Sequence, residues 1–167
     1  CLQAHAKGKA MMSVTHVVAG LHPRAGGPSR TVVQLTDALA SVEGIEVSLV
    51  TQGFVGDPSM PSAAKVNRRL IESSSRYALR FGLPVRLELN RIMGQQTSAL
   101  IHSHGLWAPV NHWAAIEARR HDIPLFIQPR GMLEPWALDH RALKKRMALA
   151  LYQRRDLESA RLFVATA

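Results

Sequence analysis

The sequence predicts an α/β fold in which helices cover both faces of a mainly parallel sheet, as a three-layer sandwich. Short apolar runs alternate with segments of helical periodicity, and three of these runs end in loops that contain glycine. The length of 167 residues suits one domain with a core of its own. No apolar run approaches the roughly 18 residues of a membrane span. The single cysteine, Cys1, excludes an internal disulfide.

The first unit of this fold is predicted within the opening fifty residues. Residues 14–19 form an apolar strand, and a loop with two adjacent glycines follows it. From Pro28, apolar residues recur at helical spacing until Gly44, where the helix ends. Residues 45–50 then alternate as a second strand. A strand, a helix and a parallel strand joined by a right-handed crossover are expected.

The middle of the chain predicts a loop and two helices. Residues 53–61 are rich in Gly, Pro, Asp and Ser, which is typical of a loop. Residues 65–81 and 85–93 are predicted as helices separated by Gly82-Leu83-Pro84. No third strand is predicted in this region.

The second half predicts three more strands. Residues 99–104 end at Gly105 and lead into a helix over residues 109–121. Residues 124–128 form the next strand, and the loop Pro129-Arg130-Gly131-Met132 follows it. Residues 161–166 form the last strand. Together these elements predict a Rossmann-like domain over residues 13–167, preceded by a disordered lead over residues 1–12.

The longest helical stretch is predicted over residues 141–159. Its periodicity predicts an inward apolar face and an outward basic face. The inward residues are Leu143, Met147, Ala150, Leu151 and Leu157, and the outward ones are Arg141, Lys144, Lys145, Arg154 and Arg155. The basic face is either a solvated helix surface or a peripheral contact with an anionic membrane.

Charge and composition limit the classes of ligand. The net charge of +9 and the isoelectric point near 10.8 favour anionic partners. Aromatic residues make up only 5% and do not alternate with basic ones, so no nucleic-acid partner is expected. The first lysines are not followed by an apolar signal segment, which predicts a cytoplasmic protein, peripheral at most on the inner membrane face.

The double glycine after the first strand predicts an anion site. Gly26 and Gly27 let the backbone pass close to a ligand, and the following helix directs free N–H groups at it. Ser29 and Arg30 lie in the first turn of that helix. The loop matches neither the G-x-G-x-x-G dinucleotide pattern nor a Walker A loop. The alternative is a tight turn with Ser29 near the helix N-terminus.

The other two loops carry candidate polar groups. His102 and His104 share one face of a strand, and at least His104 is expected to reach solvent and a ligand. Hydrogen bonding to a ligand is favoured over a metal site, because no cysteine or carboxylate lies near them. Arg130 suits phosphate or carboxylate, or a surface pair with Glu134. Beyond these residues, Trp107 and Trp136 are candidate apolar walls.

Three ordered motifs carry a family resemblance. They are GLHPRAGGPSRTVVQLTDALA, LIHSHGLWAPVNHWAA and the stretch from PLFIQPRGML to the final strand. Together they resemble the N-terminal domain of family 4 retaining glycosyltransferases, whose members have the GT-B fold. The resemblance implies transfer of a hexose from a nucleotide-sugar donor to a saccharide or lipid-linked acceptor hydroxyl, with retained configuration. Such members commonly build lipopolysaccharide and other cell-surface polysaccharides.

The resemblance also implies roles for individual residues. Gly26 and Gly27, with Ser29 and Arg30, would approach the donor phosphates. The acceptor side would be lined by His102, His104, Gly105, Trp107, Arg130 and Gly131. His104 and Arg130 are the catalytic candidates. No metal or cofactor is expected, since the nucleotide sugar is a substrate.

Two departures from the family pattern matter. Many relatives have a histidine where this chain has Arg130, so a histidine-assisted role cannot be transferred to that position. Relatives also continue into a second, donor-binding domain with a pair of glutamates, which is absent here, so the chain alone is expected to be inactive. The alternatives are a non-catalytic Rossmann module that binds phosphate or anionic lipid, and half of a nucleotide-sugar epimerase.

Overall fold

The computed structural model describes residues 11–95 and 98–165. The expected lead lies outside this part of the chain as far as residue 10. Its last residue does not: Met12 is the first residue of β1, and its N–H donates to Gly44 over 2.8 Å. This bond ties the start of β1 to the turn before β2, so Met12 belongs to the sheet.

Six parallel strands form one sheet in the order β3-β2-β1-β4-β5-β6. The strands are β1 Met12–Val18, β2 Ile45–Phe54, β3 Asn67–Ser73, β4 Ser98–His104, β5 Leu125–Gln128 and β6 Ala160–Phe163. The chain order reverses between β1 and β4. In an open parallel sheet, ligands bind at such a switch point, outside the carboxyl ends of the strands. The predicted parallel α/β fold is confirmed.

Seven helices are described along residues 11–95 and 98–165. They are α1 Gly27–Ala40, α2 Arg76–Phe81, α3 Leu83–Gln95, α4 Pro109–Arg120, α5 Pro135–Asp139, α6 Ala142–Ala148 and α7 Arg154–Glu158. A 3₁₀ turn, Pro23–Ala25, precedes α1, and a π-helical turn, Leu149–Gln153, joins α6 to α7. None of these helices is long and apolar enough to cross a bilayer.

Apolar side chains fill the space on both faces of the sheet. On one face, α3 and α4 pack on β1, β4 and β5 through a cluster that includes Val85, Leu89, Ile101, Val110 and Ile127. On the other face, α1 packs on β1 and β2 through Val18, Val32, Val33, Val47 and Leu49. The two layers cover both faces of the sheet, and its carboxyl edge supports the loops described below.

The expected helix over residues 65–81 is wrong in its first half. Residues 67–73 form β3, which pairs in parallel with β2, and only Arg76–Phe81 is helical. Strand β2 also runs to Phe54, into the expected loop. Strand β3 is a half-exposed edge strand, so it carries arginine and glutamate and lacks the apolar run of a buried strand. Pairing with β2 outweighs the helix propensity of its residues.

The expected long helix over residues 141–159 is three helical pieces with the opposite orientation. Leu143, Met147 and Leu151 were expected to face inward, but their exposed fractions are 73%, 56% and 76%. Ala150 is also exposed, and of the expected inward residues only Leu157 packs against the core. The buried side chains are instead the polar Gln153 and Asp156. Their hydrogen bonds, described below, determine which side of the segment faces the protein.

Candidate functional site

Three loops converge at the carboxyl edge of β1, β4 and β5. Arg130, after β5, donates through Nη1 to the Thr31 hydroxyl, one turn into α1, over 2.5 Å. Gly105, after β4, donates its N–H to the Gln128 carbonyl over 2.8 Å. Direct hydrogen bonds therefore join the β5 loop to α1 and the β4 loop to the end of β5.

The double glycine combines one strained and one open position. Gly26 has a φ of +82°, which disfavours any residue with a side chain. Gly27 has no such constraint, and a Cβ on it would meet nothing within 4 Å. The fold therefore needs glycine at position 26, whereas position 27 leaves space in front of the helix end.

The two other residues predicted beside this loop face different ways. The Ser29 side chain is buried, and its hydroxyl has no hydrogen-bond partner among the described residues. It does not cap α1, whose N-cap is Gly26 with no side-chain bond. The N–H groups of Gly27 and Ser29 lie in the first turn, where a helix offers them no acceptor. Arg30 is exposed beside them.

Three histidines pack together on one face of the sheet and are named here the histidine cluster. They are His16 of β1 with His102 and His104 of β4, and their exposed fractions are 0%, 8% and 3%. Parallel register places His16 beside His102, and the ring centroids of His102 and His104 are 4.2 Å apart. His102 and His104 share a face as predicted, but the expectation that His104 reaches solvent is wrong, because it packs against the other two rings.

A chain of hydrogen bonds runs through this cluster. His16 Nδ1 lies 2.9 Å from His104 Nε2, and His104 Nδ1 lies 2.8 Å from Gln128 Oε1. Since the amide oxygen can only accept, His104 donates from Nδ1 and accepts at Nε2 from His16. In this tautomer Arg130 Nη2, at 3.3 Å from His104 Nδ1, makes a close polar contact without a shared proton. Both nitrogens of His104 are therefore used inside the protein.

Burial keeps the cluster neutral. Desolvation is the largest cause of the lowered pKa of all three rings, to about 3 for His16, about 4 for His102 and about 2 for His104. The Arg130 guanidinium further lowers the pKa of His102 and His104. Loss of solvation also lowers the pKa of Arg130 itself. At neutral pH the site thus holds one cation among neutral rings.

The histidine cluster has the donor set of a metal site. One nitrogen from each ring lies within 4.8 Å of the others, and imidazole suits zinc and related ions. Two features oppose a cation there. The His16–His104 hydrogen bond occupies two of the ring nitrogens, and the Arg130 guanidinium repels a positive ion.

Arg130 occupies a constrained position in its loop. Its φ is +55°, so the backbone adopts a left-handed conformation that is uncommon for residues other than glycine. Its side chain is half-buried and reaches Thr31 and His104, and it does not form the alternative pair with Glu134. Gly131 follows it, also with positive φ. A cavity of about 250 Å³ opens beside both residues.

The loop after β4 is packed against the loop after β5. A Cβ on Gly105, whose φ is +92°, would lie 3.3 Å from Met132 Cε. Trp107 donates its backbone N–H to Gln153 over 3.0 Å and accepts from the Tyr152 hydroxyl at the same distance. Trp107 is thus half-buried packing at the edge of the site. Trp136, the other proposed wall, is 73% exposed.

The predicted basic face of residues 141–155 is only partly free. Arg154 pairs with Glu158 over 2.8 Å, and Lys145 turns inward to the Ala137 carbonyl. Arg141, Lys144 and Arg155 are exposed and form no ion pair within the described part of the chain. The outward prediction therefore holds for four of the five residues and is wrong for Lys145.

Sequence reasoning missed residues that connect the site. His16 interrupts an apolar strand, and Gln128 ends β5, so each gave a weak polar signal within an apolar run. Thr31 gave none, since its contact with Arg130 spans 99 positions.

The comparisons with known proteins match the chain to one family. A family model described as Glycosyltransferase Family 4 matches residues 25–167. The match begins at the glycine loop and includes the β4 and β5 loops. A search of curated proteins found no match.

Proposed function

The chain belongs to glycosyltransferase family 4, and on that premise we propose that it transfers a sugar from a nucleotide donor at the carboxyl edge of its sheet. Membership in the family makes it a glycosyltransferase domain that acts on a sugar donor and an acceptor. The nucleotide character of the donor, transfer of a hexose, retention of configuration and a role in cell-surface polysaccharide synthesis such as that of lipopolysaccharide are our proposals.

The observation that carries the proposal is the hydrogen bond from Arg130 to Thr31, one turn into α1. It holds a guanidinium against the N-terminal part of this helix, where Thr31 also donates to the Gly27 carbonyl. Helix N-termini and guanidinium groups both bind phosphate, and together they suit a diphosphate that gains negative charge as the sugar leaves. We assign the donor phosphates to Gly26, Gly27, the Ser29 N–H and Arg30. We add Arg130, which the family resemblance had placed on the acceptor side, because it reaches across to Thr31 of α1.

The acceptor side follows from the groups that remain. His104 uses both ring nitrogens on Gln128 and His16, so its proposed role is to pack beside Arg130 rather than to move a proton. The His102 ring is buried against His16 and His104, and its Nε2 has no partner among the described residues, so its proposed role is to support the acceptor side from within the sheet. Gly105, Trp107 and Gly131 would line the rest of the acceptor site. The acceptor is a saccharide or a lipid-linked saccharide.

We propose that transfer needs no metal ion. A divalent cation commonly neutralises a leaving diphosphate, but here a permanently charged guanidinium and a helix N-terminus face that position. Transfer should therefore persist in a chelator and should not rise when Mg²⁺ or Mn²⁺ is added.

We also propose that a second, donor-binding domain completes the site. The described edge offers backbone N–H groups and arginine for phosphates. Transferases of this fold exclude water by closing two domains on the donor, which raises the strength of every charge interaction inside.

The test is sugar transfer by this chain with and without a separately produced donor-binding domain of a family member. We expect turnover only with both parts and an acceptor present. Turnover by the chain alone would contradict the need for a second domain. Isomerisation of the nucleotide sugar without acceptor would indicate an epimerase, and tight phosphate binding with no turnover in any combination would indicate a binding module.

A further inference from the structure

We propose that the segment from α6 to α7 docks on an anionic bilayer by inserting the apolar side chains of Leu143, Met147 and Leu151, named here the docking strip. The sequence alone predicted contact through basic residues with the apolar face turned inward. The structure points to insertion instead, because the apolar face is the outer one.

The docking strip is an apolar row on a helical surface. Leu143 and Met147 are four residues apart in α6, so they lie on one face of that helix. Leu151 follows four residues later, in the π-helical turn. Their exposed fractions are 73%, 56% and 76%. Single exposed leucines are common, but a contiguous apolar row marks a contact surface.

Polar contacts on the opposite side hold the strip outward. Gln153 accepts from the Trp107 N–H over 3.0 Å, and the Asp156 carboxylate contacts His112 and Arg119 at 2.7 and 2.9 Å. Tyr152 donates to the Trp107 carbonyl. A rotation that buried the strip would break these buried hydrogen bonds, which is costly. These contacts therefore keep the docking strip on the outer surface of the protein.

The charge around the strip identifies the partner. No aspartate or glutamate occurs from residue 140 to residue 155. Arg141, Lys144, Arg146 and Arg155 are exposed, and within the described residues they form no ion pair. An apolar row flanked by unpaired cations is complementary to acidic headgroups over acyl chains.

The docking strip lies close to the proposed acceptor side, so docking would bring the membrane near that site. A cavity of about 280 Å³ opens between Trp107 and the segment that carries the strip, with Leu138, Arg146 and Leu149 in its wall. A lipid-linked acceptor in the membrane would thus lie near the proposed acceptor side. This link depends on the proposed function, whereas docking itself does not.

The test is flotation of the full chain with vesicles of phosphatidylcholine alone or with about one third phosphatidylglycerol. We expect binding to the anionic vesicles only. Leu143→Ser should weaken it about tenfold through lost apolar burial. Lys144→Gln should weaken it about fivefold.

Matched controls come from the same chain. Leu87 on α3 is 73% exposed, as Leu143 is, and Lys65 is an exposed lysine in the loop before β3. Leu87→Ser and Lys65→Gln should leave vesicle binding unchanged, and thermal melts should confirm that all four variants fold. Equal binding to neutral vesicles, or equal losses in strip and control variants, would overturn the proposal.

A second copy of the chain is the competing occupant. Self-association that is abolished by Leu143→Ser, with no vesicle binding, would assign the strip to a dimer and overturn docking. Vesicle flotation involves no sugar transfer, so a failed transfer assay leaves this result intact.

Discussion

In the histidine cluster polar rings lie inside the fold, whereas in the docking strip apolar side chains lie outside it. Hydrogen bonds link His16, His104 and Gln128, and burial keeps the three rings neutral. The exposed side chains of the docking strip are not covered by any part of the chain that the structure describes. The difference teaches that a polar group can be satisfied internally and support a site, while an apolar group held outward indicates a partner.

The largest expected effect concerns the cation beside the buried rings. Arg130→Ala should reduce kcat/KM of sugar transfer by about two orders of magnitude, since it removes a charge-assisted contact to the leaving phosphates. Arg130→Lys should recover part of the loss, because the charge remains but the two-pronged geometry does not. The measurement is initial rates with the donor-binding domain present.

Arg30→Ala is the matched control for this prediction. Arg30 is exposed beside the same glycine loop and lacks the bond to Thr31. Its replacement should cost less than tenfold. Equal losses at both positions would show that total charge, rather than the placement of Arg130, determines the rate.

The next effect is the pH dependence of the free energy of unfolding, to which the buried rings contribute and the surface cations do not. Unfolded histidine has a pKa near 6.5, while the three native rings have pKa values of about 3, 4 and 2. Below pH 6.5 the unfolded chain takes up protons that the native protein does not. The free energy of unfolding should therefore fall with decreasing pH, by on the order of 1 kcal/mol per pH unit for each ring.

Urea unfolding at pH 7, 6 and 5 measures this slope. His102→Gln should reduce it by about one third, and Lys144→Gln should leave it unchanged. A free energy of unfolding that does not change between pH 6.5 and 5 would show that the rings are already accessible to protons in the native state.

The smallest expected effect is on the stability of the docking strip. Leu143→Ser should change the free energy of unfolding by less than about 0.5 kcal/mol, since the side chain is mostly in water. Leu89→Ala, at a fully buried position of α3, should cost about 2–5 kcal/mol. A loss above about 1 kcal/mol for Leu143→Ser would mean that the strip packs within the fold.

The loops at the carboxyl edge of the sheet were predicted from the sequence more accurately than the edge strand β3 and the contacts between loops. Gly26-Gly27 and Arg130 follow apolar runs, so their place after parallel strands could be inferred from periodicity and loop chemistry. Strand β3 could not be predicted in this way. Arg68, Arg69 and Glu72 suit a helix, and only pairing with β2 makes them extended. The hydrogen bond between Arg130 and Thr31 joins residues 99 positions apart, so no local sequence pattern could predict it.

The orientation of the segment after β5 was wrong for a related reason. A helical period shows that Leu143, Met147 and Leu151 share a face, but it does not show which way that face points. Gln153 and Asp156 determine the orientation through partners on α4 and in the loop before it. A buried carboxylate with two basic neighbours appears only when the helices are packed.

The central claim, that the glycine loop and Arg130 bind the donor diphosphate, is tested most directly by titrating the chain with inorganic pyrophosphate and following amide shifts by NMR. We expect weak binding, with shifts concentrated at Gly26, Gly27, Ser29 and Gly131. Gly27→Val should abolish the shifts while leaving the fold intact, because its side chain would enter open space where the ligand must approach. Tight binding that survives Gly27→Val, or shifts located elsewhere on the sheet, would contradict the account.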